Sequence, residues 1–578
     1  MRRSNLQAMG RIVFLVLTAL FILSAAGFSQ TRKKVEILHT DAGGYNAKIV
    51  ANAQRLIGNV KILVDGAYMW CDSLYSYTNK NMVDAFGKVH IVRGDTLNMY
   101  ADFINYNGDT KIAKARRHVK LIDKQTTLTT DSLDYDMNND MAYYNYGGMV
   151  KDTANVLTSQ IGQYQVNTDK AYFRKNVVGT TKDYKINSDT LIYYAKIRKV
   201  YIEGPTRIFN EKDTLYAEYG WYDSMKNLVN LTKNPRIWNI NQKMEADSIF
   251  YDKGKGNALA LNDARIEDIQ NKFIVKGNRV EYNELTKIAT ATDSAMLIQY
   301  SETDSLFLHA DILKTLPDTT KTFMGTLPLK PLKNATDSLA QDSLKANTKD
   351  IAAENIKAIK AEAANLPAAP QDTTSTEKKQ DPRLVLAFHK VRFFREDMQG
   401  KCDSLVYWSK DSTIQLFTEP VIWSKNNQIS AQYIEMINRK KDPDEIHMKE
   451  DAFIIGMEDD SIRFNQIKGK NMVGFVRKNE LYKIDVNGNG QSNYYAHDKK
   501  GIIGLNKAES SSITIYLNKG KVSRIALIKS PDGELKPMAD IEEGDKKLPG
   551  FNWQQEIRPK SKMDIFRNTQ TVATSKKE

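Results

Sequence analysis

The stretch AFGKVHIVRGDTLNMYADFINYNGDTKIAKARRHV, residues 85–119, decides how the chain reads. Short runs of alternating apolar residues, such as Val89, Ile91 and then Leu97, Met99, are separated by clusters such as Asn107, Gly108, Asp109. That is the pattern of β-strands joined by tight turns. The phrase ADFINY within it returns as CDSLYSY at Cys71, TDSLDY at Thr130, SDTLIY at Ser188, AEYGWY at Ala217, ADSIFY at Ala246, GNRVEY at Gly277 and CDSLVY at Cys402. Its polar second position falls at Asp72, Asp102, Asp131, Gln160, Asp189, Glu218, Asp247 and Asn278, at intervals of 29 to 31 residues. So regular a period marks repeated units that bury their apolar faces on one another.

Each slot of the phrase has a physical reading. The first is small or short (Cys71, Ala101, Ser159, Ser188, Ala217, Cys402, Ala431), as expected where a strand bends against a neighbouring layer. Two places after the acidic slot stands an aliphatic residue and two further on a tyrosine; spacing of two places acid, aliphatic and tyrosine on one strand face. About seventeen residues past the acid comes Val89, Val119, Val177, Pro235 or Pro420, opening another alternating run, so one unit reads as about three short strands. Proline in that slot implies that its N–H is not needed by a central ladder. Helical patterns are nearly absent from Val35 to Leu313. The expected fold is all-β, a solenoid or open sandwich of short antiparallel strands.

Composition divides the rest of the chain. Residues 1–29, with Arg2, Arg3 and an apolar run from Ile12 to Leu23, read as a secretory signal, because the run is shorter than the ~20 residues a membrane-spanning helix needs. Residues 31–315 form a first repeat block of about two modules. In 316–383 the pattern stops: six of the fourteen prolines fall there and Phe323 is its one aromatic residue, so it reads as a disordered, flexible insert with an alanine-rich stretch near 350–366. A second block spans 384–530, and 531–578 is an extended carboxy-terminal tail.

No catalytic signature is present. A P-loop, a G-x-S-x-G elbow, an H-E-x-x-H motif and a dinucleotide fingerprint are all missing, and the seven histidines lack metal-ligand spacing. The repeated acids occupy equivalent slots, unlike a glycosidase pair in distinct environments, and favour a structural role at the bend. Asp485, Asn487, Asn489 and Gly490 imitate a calcium loop, but its twelfth position is Ala496 where glutamate is required. Cys71 and Cys402 fall in the small slot and read as packing residues. The chain is therefore expected not to be an enzyme and to need no cofactor or metal. The formal charge of +13 falls to +10 without Arg2, Arg3 and Arg11, and suits an acidic partner. Export argues against nucleic acid, despite the basic run ARRHVKLIDK from Ala115.

The units at 85–119 and NVKILVDGAYMWCDSLYSYTNKNMVDAFGKV at 59–89 resemble the OstA-like (organic solvent tolerance) family, which includes the periplasmic lipopolysaccharide carrier LptA and the amino-terminal part of the translocon LptD. LPGFNWQQEIRPKSK, from Leu548, looks like the ending of large OstA-like proteins. The resemblance implies a β-jellyroll folded like a taco, whose interior holds lipid A acyl chains and whose edge strands pair with other lipopolysaccharide transport proteins. It implies a periplasmic protein associated with the outer membrane and contributing to its assembly. The residues chosen for the apolar groove are Ile104, Tyr106, Leu133, Tyr135, Leu191, Tyr193, Ile249 and Tyr251. The competing reading is a structural scaffold or adhesion solenoid that spaces other envelope components.

Overall fold

The structure, a computed structural model, describes residues 35–45, 52–77, 79–153, 155–301, 304–318, 382–439, 443–477, 480–499, 501–518 and 521–567. The signal segment and residues 319–381 of the insert, with its alanine-rich stretch, lie outside the described residues. Among the described residues 38 strands form one continuous antiparallel sheet, and the only helices are single 3₁₀ turns.

The repeat is a corner. Strand Ala67–Tyr77 pairs with Gln54–Val64 as Val60↔Cys71 and Ile57↔Ser73, so Gly58 and Asn59 oppose the single residue Asp72. The same two-against-one bulge sets Gly87 and Lys88 against Asp102, and Arg117 and His118 against Asp131. Bulges of this kind bend a strand and raise its twist. Both residues of the pair are left-handed, with φ of 81° and 44° at Gly58 and Asn59, and 60° and 48° at Arg117 and His118. Further pairs stand at Lys175 and Asn176, Lys233 and Asn234, Asn262 and Asp263, His389 and Lys390, and Thr418 and Glu419.

Acids of the repeated phrase brace these corners. The Asp41 N–H donates to the Gly58 carbonyl at 3.0 Å, Glu218 to Lys233 at 3.2 Å and Asp247 to Asn262 at 3.0 Å. Their side chains reach the same residues: Asn59 Nδ2 donates to Asp41 at 2.9 Å, and His118 Nδ1 lies 2.7 Å from Asp102. Val89, Val119, Val177, Pro235 and Pro420 each follow a left-handed pair, and both prolines sit where a strand is interrupted.

Bending every strand at its middle folds the sheet into two limbs. The first limb contains residues 60–71, 89–101 and 119–130 and their successors; the second contains 54–57, 73–86, 103–116 and 132–144 and theirs. Inner faces of the two limbs meet in the core. In strand Leu97–Asn107 the buried residues are Leu97, Met99 and Ala101, then Ile104 and Tyr106. The inward parity therefore changes at Asp102, which is exposed on the outer ridge. This corrects the expectation that acid, aliphatic and tyrosine share a face: spacing of two holds within a straight strand, and the bulge lies at the acid. The small first slot lines the inside of the bend, where Cys71, Ala101, Ser188, Ala217 and Cys402 are buried. A unit also differs from the expected three short strands. It holds two strands of mostly 10 to 12 residues bent at the middle, in places broken there into halves.

The sheet does not stop at the insert. Strand Ile312–Pro317 pairs directly with Arg383–Arg395, from Ile312↔Phe388 to Pro317↔Arg383, so residues 319–381 leave from a hairpin tip of the second limb. Fully buried core residues instead divide into one cluster ending at Leu231 and another starting at Met244, joined through the partly buried Ile237 and Tyr251.

Two glycines separate backbone strain from packing. Gly66 has φ +79° with open space around a built Cβ, whereas at Gly87, φ +73°, that Cβ would lie 2.4 Å from Asp72 Oδ2. Gly66→Val should cost about 1–2 kcal/mol from backbone strain alone, and Gly87→Val roughly 2–4 kcal/mol because the corner must also displace its carboxylate. Thermal unfolding of the two variants measures the difference, and equal losses would remove the acid from the account of the corner.

Candidate functional site

All eight residues chosen from the sequence lie on the inner face of the second limb. Ile104, Leu133, Leu191 and Ile249 form the row beside the corner and are completely or almost completely buried. Tyr106 and Tyr135 are likewise buried, while Tyr193 and Tyr251 are partly exposed. These tyrosines belong to a longer row at the mouth of the fold. Tyr106, Tyr135, Tyr164, Tyr193, Tyr222, Tyr251 and Tyr282 occupy every second strand. Direct register partners between them are small: Ala113, Ala142, Ala171, Val200, Val229 and Ala258. Large and small side chains thus alternate along the sheet and fill it. Tyr164 and Tyr282 were not chosen from the sequence, although each stands four residues after the polar slots at Gln160 and Asn278.

The tyrosine hydroxyls close the mouth. Tyr106 donates to Asp65, in a turn of the first limb. Tyr164 donates to Asp123 at 3.0 Å and Tyr193 to Asp152 at 3.2 Å, each 41 residues upstream. Tyr135 receives Arg93 Nη1 at 3.3 Å, and Arg93 pairs with Asp140 at 2.5 Å. Further along, Tyr282 donates to Gln242 at 3.0 Å, Gln299 donates to Tyr407 at 2.9 Å, and Arg383 pairs with Asp268 at 2.7 Å with both side chains nearly buried. A hydrogen bond to a charged partner contributes about 1.5–3 kcal/mol. The latched interior is filled: between Val150, Leu157, Tyr164, Ala171 and Tyr193 the enclosed cavity is about 10 Å³, room for one water at most.

The latch has a gap. Among the described residues neither Tyr222 nor Tyr251 bonds across the mouth, and the Tyr251 hydroxyl donates to Glu284 on its own limb. The positions 41 residues upstream are Thr181 and Asn210, and both are engaged in their own turns: Thr181 Oγ1 donates to the Tyr184 carbonyl, and Asn210 Oδ1 accepts the Lys212 and Asp213 amides. In the same stretch the interior loses its burial. Ile186, Ile208, Leu215 and Ile237, register neighbours across the first limb, are only partly buried, as are Val200, Tyr222 and Tyr251 opposite them. This open stretch, where apolar side chains of both limbs meet solvent, is the candidate site. The sequence alone does not mark it, since Asn210 stands 41 residues before Tyr251 as Asp152 does before Tyr193.

Other candidate chemistry falls away. Asp485 to Gly490 run within strand Glu480–Asp498, where Asp485 accepts from Lys483 at 2.7 Å and Thr514 at 2.9 Å. No group of three or more metal-ligating side chains occurs among the described residues. Cys71 and Cys402 are free and buried, and burial pushes the Cys71 thiol up to about 11. A second, open groove of about 450 Å³ lies at the tip of the second limb, between Phe250, Leu259, Glu281 and Tyr282, outside the interior.

The latch makes an alkaline prediction. Burial raises Tyr135 and Tyr193 to about 12, with the neighbouring Asp140 and Asp152 adding to it, against about 10 for a free tyrosine. The neutral phenol therefore favours the folded state; its contribution is whole below pH ~10 and is lost as pH rises towards the folded value. Titration of tyrosinate absorbance should show an exposed class ionising near pH ~10 and a late class that ionises together with loss of the β-sheet circular dichroism. A single transition near pH ~10 with the sheet intact would show that the latch does not hold the limbs.

Residues 32–189 match the family of OstA-like proteins. No curated protein matches the chain. The matched segment spans the first corners and the latch from Tyr106 to Tyr164, and the same corners and tyrosine row continue beyond it. Residues 32–189 are thus the part of the chain that is similar to OstA-like proteins.

Proposed function

We propose that the protein is a non-enzymatic carrier of lipopolysaccharide in the periplasm, contributing to outer membrane assembly, and that it takes the acyl chains of lipid A between its limbs at the open stretch. An OstA-like region suggests a family of the lipopolysaccharide-transport type, and this reading extends that coarse statement to a site. The observation that carries it is the coincidence of the latch gap with the partly exposed apolar rows of Ile208, Leu215 and Ile237 against Val200, Tyr222 and Tyr251. The turns that border this stretch supply the second half of an amphiphile site. They carry Lys182, Lys196, Arg198, Lys199, Lys212, Lys226, Lys253 and Lys255 against Asp183, Glu211, Asp213, Asp223 and Asp252. A basic rim above an apolar slot suits a molecule with anionic groups at one end and hydrocarbon at the other.

Partners in this reading stack on the ends of the sheet. Among the described residues, strands Glu36–His39 and Ala42–Tyr45 pair only with Gln54–Val64, and Lys521–Ile528 and Asp532–Pro537 only with Gly501–Asn518. Their outer edges offer main-chain donors and acceptors to other transport proteins, at the outer membrane among other places.

Burying one aliphatic side chain against a ligand contributes about 1.5–3 kcal/mol, so Leu215→Asp should weaken binding of purified lipopolysaccharide by about tenfold or more. A photocrosslinking residue at Tyr222 should label the lipid, and one at Ile104, in the filled stretch, should not. Binding unchanged by Leu215→Asp, with no crosslink at Tyr222, would leave the scaffold reading in its place.

A further inference from the structure

Beyond strand Asp532–Pro537 the chain leaves the sheet and turns back along the outer face of the first limb. No residue from Met538 to Arg567 joins a strand ladder; the segment contains only 3₁₀ turns and irregular backbone. It is held by side chains that the sheet projects outward, and these side chains address its main chain. Gln466, fully buried, donates from Nε2 to the Lys546 carbonyl at 2.7 Å and accepts the Leu548 amide at 2.8 Å. Gln428, 1 % exposed, repeats the arrangement one step along, donating to the Asn552 carbonyl at 2.7 Å and accepting the Gln554 amide at 2.7 Å. In both cases one carboxamide reads the carbonyl of one residue and the amide two positions later, the pair that a neighbouring strand would read in a ladder. Asn493 Nδ2 adds the Asp545 carbonyl at 2.7 Å, and the buried Gln399 accepts Arg558 Nε at 2.7 Å.

Pockets supply the selectivity. Leu548 packs with Phe453 and Ile455, and Phe464 lies between Phe551 and Trp553 with both ring centroids at 5.3 Å. At one end Asp545 is clamped by Lys507 at 2.6 Å and Lys536 at 2.9 Å; at the other, Ile565 is fully buried and Phe566 packs on His309 with centroids 4.6 Å apart. A tail that merely covered apolar surface would need no buried amides beneath it. Gln428 and Gln466 are instead buried beneath the tail with both ends of each carboxamide bonded to its main chain, and polar groups are buried at low cost only where they are so paired. The face is shaped for a peptide main chain that has no ladder of its own.

We propose that the outer face of the first limb, between Gln399 and Lys536, is a binding groove for a peptide, that the segment from Ile541 to Arg567 is its resident ligand held in cis, and that this segment leaves and rebinds as a unit. The ligand class is an irregular peptide with an acid at its start, a Leu-Pro-Gly turn, aromatic residues two apart, and an arginine. The same segment supplied by a second copy meets every one of these contacts. The groove lies outside the limbs and is independent of what the interior holds.

The test uses the full-length folded protein with a specific protease site placed between Pro537 and Ile541. After cleavage the tail should co-elute with the body in gel filtration, and an excess of fluorescent synthetic peptide covering residues 541–567 should displace it, read by anisotropy. Gln428→Ala with Gln466→Ala should weaken the peptide by about tenfold or more while the sheet circular dichroism is kept. Gln466→Glu, which keeps the shape and removes the Nε2 donor, should weaken it in the same direction. A cut tail that co-elutes but never exchanges, a cut tail that is lost and a peptide that does not bind, or a peptide affinity indifferent to both glutamine changes would each overturn the proposal.

Discussion

Everything in this molecule depends on a two-against-one bulge repeated about every twenty-nine residues. Two left-handed residues face one acidic residue, and the inward parity of the strand changes at that point. Without the change, a strand with Leu97, Met99 and Ala101 inside would turn Ile104 and Tyr106 outward, because a one-residue slip exchanges the faces of a strand. With it, both halves of a long strand face one interior. A non-glycine residue in the left-handed region costs roughly 1–2 kcal/mol, and the chain accepts this at Arg117 and His118, at Lys175 and Asn176 and at many other corners. The cost is offset by the acid bracing the corner and by the core that the fold creates. Fully burying one side chain such as Leu74 or Ile104 contributes about 1.5–3 kcal/mol.

The two consequences of that bulge explain what was legible in the sequence. Its period, its small inner residue and its acid are chemically constrained, so they recur as Cys71-Asp72, Ala101-Asp102 and Ala246-Asp247 and announce a repeated β-unit. The left-handed pair itself is hidden. Such positions favour glycine and asparagine, and Gly58, Asn59 and Gly87 are recognisable, but Arg117, Lys175, Glu419 and Glu450 do the same task with no compositional mark. A face assignment that assumed straight strands therefore went wrong at the acid. The site was legible in part for a similar reason. Tyrosines at a fixed offset revealed the inner row, whereas their partners lie on the other limb, 40 to 42 residues upstream, and are Asp, Arg or Gln according to the unit. Only pairing the two limbs shows that Tyr222 and Tyr251 have none.

The latch and its gap divide the interior into two kinds of space from one sequence plan. Where Tyr106, Tyr135, Tyr164 and Tyr193 reach across, the small residues between them let the rings pack and the interior closes on itself. These stretches behave as framework. Where turn chemistry engages Thr181 and Asn210 locally, no tyrosine hydroxyl bridges the mouth, which Lys253 spans with its ammonium 4.9 Å from the Tyr184 ring, and the aliphatic rows of both limbs stay half-exposed. Opening a latched stretch would break hydrogen bonds to carboxylates such as Asp123, which is 2 % exposed, as well as expose its core. The free energy of admitting an apolar ligand is therefore lowest in the middle of the molecule.

Support for the two limbs is also unequal along the chain, and this bears on which of them can move. From strand Ser305–His309 to strand Asp532–Pro537 the first limb carries the returning tail on its outer face, so its side chains at Gln399, Gln428 and Gln466 are tied across several strands at once. Among the described residues the second limb has no such cover in this half, and it carries the hairpin Ile312–Pro317 with Arg383–Arg395. Any opening of the carboxy-terminal half must then come from the second limb turning about the corner while the first is held. Among the described residues of the amino-terminal half neither limb is tied outside, and the tyrosine latch, with the Arg93–Asp140 and Lys124–Asp169 pairs across the mouth, resists the same motion. The half that lacks the tail has the denser row of latched tyrosines, from Tyr106 to Tyr193, which is the distribution expected if one restraint substitutes for the other.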